Sequence, residues 1–466
     1  MQQAPASFTV PGFYGKSAQT YTVGEGRLAR PKFRFSGNIS VGFDDNVFQT
    51  PNHPQGVPAQ KVQELVQPAT PAFNADEVVP SGDPTIPSTV QTVRVPAQPP
   101  KFRTITIPAV PAQQRVDSWI TRTDGKWDVQ FANRRTLFTF DLGAGVDYYW
   151  NRPGKKADYT GDLALVYLRK LSGRAQITFN LTSNYQSQPD FSQPNTPSTN
   201  NGGSYLTTNA RADLTYRLTP KFSTVTSLSY SDLAYEENST GNFSSTTFGT
   251  ELRYLFSPRL TFSGEARYGI STYPEQPDAD TSDYSLLVGT QVTLSRRFGG
   301  SLRVGEEVQS FKQGGSSSSS PRLEATLSYR VGEATTVQWN AEYGYEASGS
   351  AQFRNLTARS GLQLTQVFSP RLQGSLGVNL VRSSTTSTTA PLATTTTTVA
   401  STTPNNLGLS PDTVQDTIDA SLGFYYTLNR HWSFNLSYSY TTGFYSPATT
   451  NDYFRQRIFL GAAYQF

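Results

Sequence analysis

The feature that most constrains this chain is a regular alternation of apolar and polar residues that recurs almost to its last residue. In the first such run, Phe33, Phe35 and Ile39 alternate with Arg34 and Ser36. The same period of two recurs in residues 138–150, 432–440 and 458–466. Because successive side chains of a strand point to opposite faces, each run predicts a strand with one apolar and one polar face.

The alternating runs are too long for ordinary strands. They last roughly 10 to 16 residues, whereas strands of globular domains cluster at about 5–6 and tilted membrane-crossing strands need about 9–11. Tyr148, Trp150 and Trp432 lie near the ends of apolar faces, as do the aromatic girdles of outer-membrane barrels. The pattern therefore predicts an all-β fold, a transmembrane antiparallel β-barrel.

About eighteen strands are expected. They cover residues 32–44, 117–132, 136–150, 158–170, 175–187, 204–218, 221–235, 243–256, 259–273, 284–297, 301–312, 322–332, 335–347, 354–368, 371–383, 413–428, 431–445 and 452–466. Every second connection is short and the intervening ones are longer and rich in Gly, Ser and Thr. Since such barrels have short periplasmic turns and longer external loops, both termini are predicted to be periplasmic.

The tetrapeptide Ser-Pro-Arg-Leu occurs at 257–260, 320–323 and 369–372. Two copies fall at expected short turns and the copy at 320–323 falls at the end of an expected external loop. Because proline fixes a turn φ and ends the preceding strand, all three copies are interpreted as turns.

Composition excludes several classes of protein. No apolar run approaches the length of a membrane-spanning helix. The 466 residues include no cysteine, which excludes disulfide scaffolds, thiolate zinc sites and cysteine nucleophiles. A net charge of +4 is too dilute over this length to indicate a nucleic-acid partner.

Three segments do not fit the barrel pattern. Residues 1–31 are expected to form an N-terminal periplasmic or lumenal segment ahead of the barrel domain, residues 32–466. Within the barrel, residues 45–116 are expected to form a Pro-rich external loop and residues 384–412 a Thr-rich one. The core of the Pro-rich loop, residues 50–115, is either an extended surface loop or a loop folded against the barrel mouth.

The segment Phe35–Phe48, which ends in Asp44-Asp45-Asn46-Val47-Phe48, resembles the opening of the bacterial β-barrel porin 2 family. That resemblance implies an outer-membrane barrel that ends in an aromatic residue. Tyr464 and the terminal Phe466 then look like the assembly signal that is read by the barrel-insertion machinery. Related barrels in exopolysaccharide operons look similar.

No catalytic constellation is recognised, and neither an enzyme nor a cofactor is predicted. His53 lies in the Pro-rich loop and His431 follows a short turn, and neither context suggests a hydrolase. Asp44, Asp45 and Asn46 could bind Ca²⁺ through oxygen atoms. Such residues at a strand end more often form turns through their own side chains, which is the interpretation preferred here, so no metal site is predicted.

The polar faces of the expected strands carry charges of both signs, which we expect to line the barrel interior. The candidate pore-lining residues are Arg34, Arg122, Asp124, Lys126, Asp128, Asp141, Asp147, Arg211, Asp213, Glu251, Arg253, Glu265, Arg267, Arg303, Glu307, Glu324, Arg330, Glu342, Arg359, Arg455 and Arg457. The pairs Arg253/Glu251 and Arg267/Glu265 are candidates for a cross-strand ladder. The charges either form a structural network on the wall or face one another across a constriction. Because the signs nearly cancel, strong ion selectivity is not predicted.

The function predicted from these features is that of an outer-membrane porin, a water-filled channel through which small hydrophilic solutes diffuse. Its partners would be outer-membrane lipid and the solutes, with a homo-oligomer or a loop-bound partner left open and no nucleic acid. The alternatives are a barrel for exopolysaccharide export or anchoring, and a structural or adhesive barrel that binds a partner through its loops. An export path would show a continuous line of inward aromatics, whereas the sequence places only scattered ones there: Tyr149, Tyr235, Tyr273, Tyr425 and Phe459.

Overall fold

The computed structural model describes the barrel wall and its short turns. The described residues are 31–52, 99, 114–187, 204–236, 241–277, 280–295, 297–312, 317–346, 353–387, 413–446 and 452–466, with the backbone of six short strands outside the barrel. The predictions that concern the remaining residues, including His53 and most of the Thr-rich segment 384–412, lie outside the described residues.

The strands are numbered in chain order. They are β1 (Ser7–Val10), β2 (Gln19–Thr22), β3 (Lys32–Asp44), β4 (Gln60–Gln67), β5 (Phe73–Val79), β6 (Thr89–Val95), β7 (Lys101–Ile107), β8 (Ser118–Ala132), β9 (Thr136–Tyr149), β10 (Ala157–Lys170), β11 (Ala175–Gln186), β12 (Tyr205–Arg217), β13 (Phe222–Tyr235), β14 (Phe243–Ser257), β15 (Leu260–Thr272), β16 (Thr281–Thr293), β17 (Phe298–Phe311), β18 (Ser317–Val331), β19 (Thr335–Glu346), β20 (Phe353–Val367), β21 (Leu372–Ser387), β22 (Thr413–Thr427), β23 (Trp432–Ser446) and β24 (Tyr453–Gln465).

Strand β3 and strands β8 to β24 form one closed barrel of eighteen strands. Each strand pairs antiparallel with its neighbour along the chain, β3 pairs with β8, and β24 pairs with β3 to close the sheet. Closure leaves no strand edge with unpaired backbone groups. The predicted all-β barrel and its strand number are therefore confirmed.

The alternation of residue types follows the alternation of faces. On β3, Phe35 and Val41 are about half exposed on the outer surface, whereas Ser40 and Asp44 on the other face are buried. On β16, Leu286 remains 68% exposed while the adjacent Leu287 is 1% exposed. An outer surface covered with exposed apolar side chains is unfavourable in water, and it is what a lipid-facing surface requires.

Several of the short turns contain the same side-chain hydrogen bond. The oxygen of the first turn residue accepts a hydrogen bond from the backbone N–H three residues later: Thr219 from Phe222 at 3.0 Å, Ser369 from Leu372 at 3.1 Å and Asn429 from Trp432 at 2.8 Å. These bonds stabilise the turn conformation locally, which explains why Ser, Thr and Asn begin these turns.

The interpretation of residues 320–323 as a turn is wrong. These residues lie within β18, where Pro321 is opposite Glu306 of β17. The ladder between β18 and β19 begins only at Leu323. Pro321 therefore precedes that ladder, at a position where a strand tolerates the loss of a backbone donor.

The chain divides into two compact units, Met1–Asn52 with Arg115–Phe466, and His53–Gln114. In the second unit β4 pairs with β7 and β5 with β6. The prolines of this segment lie between these strands and not within them, as expected of a residue that donates no hydrogen bond. The sequence did not predict this pairing, nor the pairing of β1 with β2.

Candidate functional site

The face that carries the polar residues is the inner face of the barrel. Arg267 of β15 contacts Glu324 of β18 at 2.6 Å, and Arg303 of β17 approaches Glu251 of β14 to 3.5 Å. Side chains of strands three positions apart meet only where they converge, which is on the concave side of a curved sheet. The register places all the candidate pore-lining residues named above on this inner face.

The inner face is wide. With strands about 4.8 Å apart and tilted by about 40°, eighteen strands close at a backbone radius of about 18 Å. The inward residues between the charges are mainly Ser, Thr, Gly, Asn and Gln, which are too small and too polar to fill a space of that size without water.

Strands β14 to β19 carry a connected network of charges, here called the charge ladder. It consists of Glu251, Arg253, Glu265, Arg267, Arg303, Glu307, Arg322, Glu324 and Glu342. Both predicted Arg/Glu pairs belong to it, but their geometry differs from the prediction. Glu251 lies directly opposite Glu265, and each is bound by the arginine two residues along its own strand, at 2.6 and 2.7 Å.

Arg303 joins the two facing glutamates. It lies 3.5 Å from Glu251, 3.6 Å from Glu265 and 3.4 Å from Glu324. Two carboxylates opposite each other in a sheet repel. A third guanidinium between them offsets that repulsion, and its side chain is 32% exposed, so that the network is in contact with solvent.

Arg322 is the functional candidate that the sequence analysis missed. It contacts Glu307 at 3.1 Å, Glu324 at 3.2 Å and Glu342 at 2.9 Å. The tetrapeptide at 320–323 directed attention to turn chemistry, although Ser320, Arg322 and Glu324 also fit the period of two. That period was the signal that could have identified it.

Inward glycines make room for the long charged side chains. Gly289 lies opposite Arg303 in the register, and a Cβ there would come within 2.8 Å of Arg303 Cγ and 2.9 Å of Ser263 Oγ. The glycine therefore lets the arginine lie along the wall and reach strands β14 and β15.

A second group of charges surrounds the seam, the junction at which the last strand β24 pairs with the first barrel strand β3. Its register runs from Arg457 opposite Asp44 to Gln465 opposite Ser36. Beyond Asp44, the chain is held to β24 by Asn46, whose amide donates to the carbonyl of Phe454 at 2.9 Å, and by Asn52, whose N–H donates to the carbonyl of Asp452 at 2.8 Å.

Asp44 and Arg455 form a buried ion pair at the seam, with side chains 0% and 2% exposed. Arg455 Nε lies 3.0 Å from both carboxylate oxygens of Asp44, and the N–H of Asn46 donates to the same carboxylate at 3.0 Å. Asp45 is bound by Arg115 at 2.6 Å. Asp44 and Asn46 thus form the expected turn, and the carboxylates that Ca²⁺ would need are both engaged by arginines.

An apolar cluster lies beside this pair on the inner face. It contains Val47, Ile120, Tyr149 and Phe459, all buried. The guanidinium of Arg122 lies 4.5 Å from the centre of the Phe459 ring, and that of Arg152 lies 4.1 Å from the Tyr149 ring. Together with the ion pair, this cluster forms the seam cluster. Its packed side chains occupy part of the inner face.

The inward aromatics predicted by the sequence do not form a sugar path. Tyr149, Tyr235, Tyr273 and Phe459 are buried, and only Tyr425 is substantially exposed. Buried rings offer no free face on which a sugar could stack, so these residues act in packing.

The C-terminal aromatics lie at the end of the seam. The ring of Phe466 is 4.6 Å from that of Tyr464 and 5.5 Å from that of Phe35. His431 stacks on Tyr464, and its Nδ1 lies 2.9 Å from the carbonyl oxygen of Gln465. The imidazole therefore has packing and hydrogen-bonding roles in the wall.

Among the described residues, no helix has the length and apolar character needed to span a membrane. In the same part of the chain, no three His, Cys, Asp or Glu side chains are grouped so as to hold a metal ion.

Comparisons with known proteins return barrels of similar size at low similarity. A BenF-like porin from Pseudomonas fluorescens has a TM-score of 0.42 and 10% identity, over 95% of this chain and 100% of that one. OpdK, an outer-membrane protein of Pseudomonas aeruginosa, has a TM-score of 0.41 and 10% identity, over 93% of this chain and 99% of that one. OccAB4 of Acinetobacter baumannii has a TM-score of 0.37 and 9% identity, over 93% of this chain and 98% of that one. Because all three TM-scores lie below 0.5, none of these likenesses supports a conclusion about this chain.

No protein-family model matches the chain, and no curated protein matches it. The resemblance of residues 35–48 to the β-barrel porin 2 family therefore stays a prediction.

Proposed function

We propose that this chain is a bacterial outer-membrane porin that passes small hydrophilic solutes by diffusion, without a cofactor and without enzymatic activity. The observation that carries this proposal is the closed eighteen-strand barrel with an apolar exposed outer face and a polar, charged inner face. A barrel with these two faces satisfies its backbone groups within the bilayer and encloses a space that water fills.

The orientation in the membrane follows the connections. The short turns after β8, β10 and β12 all lie at one end of the barrel, and the strands that lead into the long connections end at the other. We propose that the end with short turns faces the periplasm, together with both termini, and that Tyr464 and Phe466 are read by the barrel-insertion machinery.

The inner charged residues are proposed to line the channel. Their charges are largely paired with one another, which favours a channel without strong ion selectivity. An exopolysaccharide path is not favoured because the inward aromatics are packed, and no described feature favours an adhesive barrel.

The test is single-channel conductance of the purified full-length protein in a planar bilayer. A porin gives steady conductance steps that scale with salt concentration. A second sample lacking residues 53–114, the separate compact unit, distinguishes a gating role of that unit from a peripheral one. Protein that inserts and remains silent in both forms would contradict the porin proposal and favour the export or adhesive alternatives.

A further inference from the structure

Arg457 differs from the arginines that surround it on the inner face. It lies on β24 in the register that places Arg455 and Phe459 inward, and it is partly exposed. In the described part of the chain, no acceptor forms an ion pair or hydrogen bond with its side chain. A guanidinium carries five donors and remains charged at every physiological pH, so the Arg457 donors lack a paired acceptor in the part of the chain that the structure describes.

The nearest acidic residue attracts Arg457 but does not pair with it. Asp44 lies opposite it in the register, but Arg455 and the N–H of Asn46 already occupy the Asp44 carboxylate. That carboxylate is buried with Arg455, and Arg457 makes no hydrogen bond or ion pair with it.

Arg122 adds to the positive charge at this place. It acts on Arg457 as a like charge, as Arg455 does. Its own donors bind both oxygens of Asp147 at 2.6 Å. Arg455 is thus paired with Asp44 and Arg122 with Asp147, with Asp124 also acting on Arg122, whereas Arg457 has no ion-pair partner among the described residues.

In the charge ladder, by contrast, every arginine is paired. Its four arginines, Arg253, Arg267, Arg303 and Arg322, all contact glutamates. An incoming anion would have to displace a glutamate from any of them, whereas at Arg457 it would meet donors that are already available.

We propose that Arg457 is an anion subsite on the channel wall and that its ligand is the carboxylate group of a small solute. The planar fork of a guanidinium matches the two oxygens of a carboxylate. Ser439 lies directly opposite Arg457 on β23 and places a hydroxyl donor beside the same position. This inference rests on the proposed porin function and gives that channel a preference for carboxylate solutes.

The test uses propionate, a small monocarboxylate, and propionamide, its uncharged counterpart of nearly equal size. Single-channel current through the full-length protein is recorded while either compound is added. Propionate should reduce the current in a saturable manner and propionamide should not. Arg457→Gln should raise the half-blocking propionate concentration about tenfold, as expected for the loss of a charge-assisted hydrogen-bonded pair. The half-blocking concentration of Arg457→Lys should lie between those of the original protein and of Arg457→Gln.

Arg330→Gln is the matched control because it removes the same charge from the same face. Arg330 is exposed near the end of β18 with the short turns, away from Arg122 and Arg455. Its half-blocking concentration should stay within about twofold of the original, since exposed charges interact weakly across a solvated distance.

The outcomes separate the two proposals. A protein that conducts but responds equally to propionate and propionamide, or whose Arg330→Gln variant loses block as strongly as Arg457→Gln, overturns the subsite and leaves the porin intact. A protein that never conducts overturns the porin and the subsite together. The migration of unheated protein in SDS gels verifies that each variant is folded, and Arg457→Lys decides the matter if Arg457→Gln does not fold.

Discussion

The seam cluster and the charge ladder both contain arginine–carboxylate pairs, but these pairs lie in different surroundings. At the seam, Asp44 and Arg455 are removed from water and packed beside apolar side chains. In the ladder, Arg303 and Glu324 remain partly exposed, and each charge has several partners at 2.6–3.6 Å. The surroundings of an ion pair, more than the pairing itself, therefore decide whether it is structural or faces the channel.

The physical reason lies in desolvation. A buried charge that loses its partner stays uncompensated in a medium of low polarity, whereas a half-exposed charge regains water. The seam should therefore be sensitive to single substitutions, and the partly exposed members of the ladder, such as Arg303, should tolerate them better.

The largest expected effect is that of Asp44→Ala. It leaves Arg455 buried and unpaired, and should lower the free energy of unfolding by about 3–5 kcal/mol. Urea-induced unfolding followed by tryptophan fluorescence measures the change. Asp213→Ala is the control, since its partner Arg211 is 47% exposed and the expected loss is below about 1 kcal/mol. Equal losses in the two variants would contradict the distinction between buried and exposed pairs.

A smaller effect is expected for Gly289→Val in the ladder. The new side chain would collide with Arg303 and Ser263, and the overpacking should lower the free energy of unfolding by about 1–3 kcal/mol. Gly264→Val, on the outer face with no atom within 4 Å of its Cβ position, should be nearly neutral. If both valines are tolerated equally, the glycine does not make room for Arg303.

Arg303→Gln should lower the free energy of unfolding by less still. Glu251 and Glu265 would face each other without their shared partner, but each keeps the arginine on its own strand. The expected loss in free energy of unfolding is about 1 kcal/mol. Raising the salt concentration from about 0.1 M to about 1 M should remove most of this loss because exposed charges are screened. The Asp44→Ala loss should persist at both concentrations, and a loss that salt removes equally in both variants would be contrary evidence.

The smallest expected effect belongs to the turns. Thr219→Ala removes the hydroxyl that accepts hydrogen bonds from Phe222 and, at 3.3 Å, from Lys221. These groups are exposed, so water replaces the lost bonds, and the free energy of unfolding should fall by about 0.5 kcal/mol. The same urea titration measures it. A loss as large as that of Asp44→Ala would show that the turns, and not the seam, hold the barrel closed.

The strands were predictable because their signal is local. The alternation of Phe33, Phe35 and Ile39 with polar neighbours determines both the presence of β3 and the face that each residue occupies. The same period placed Glu251, Arg303 and Arg457 on one face. Strand number followed from counting the runs.

The contacts within the site were not predictable because they depend on register and curvature. Nothing in the sequence near Glu251 shows that it lies opposite Glu265, nor that Arg303 reaches both from two and three strands away. Val47 was also missed: a lone valine after a turn signal gives no hint that it packs against Ile120 and Phe459. The position of Arg322 was obscured by a proline beside it that usually marks a turn.

The most direct test of the central claim, an inner face in contact with water and an outer face in contact with lipid, uses cysteine labelling. The chain contains no cysteine, so single substitutions need no background correction. Ser421 and Leu422 are adjacent on β22, the first inward beside Ser439 and the second 40% exposed on the outer face. In proteoliposomes, a charged, water-soluble thiol reagent should modify Ser421→Cys and alter the conductance, and should leave Leu422→Cys unmodified. Modification of Leu422→Cys with protection of Ser421→Cys would contradict the account.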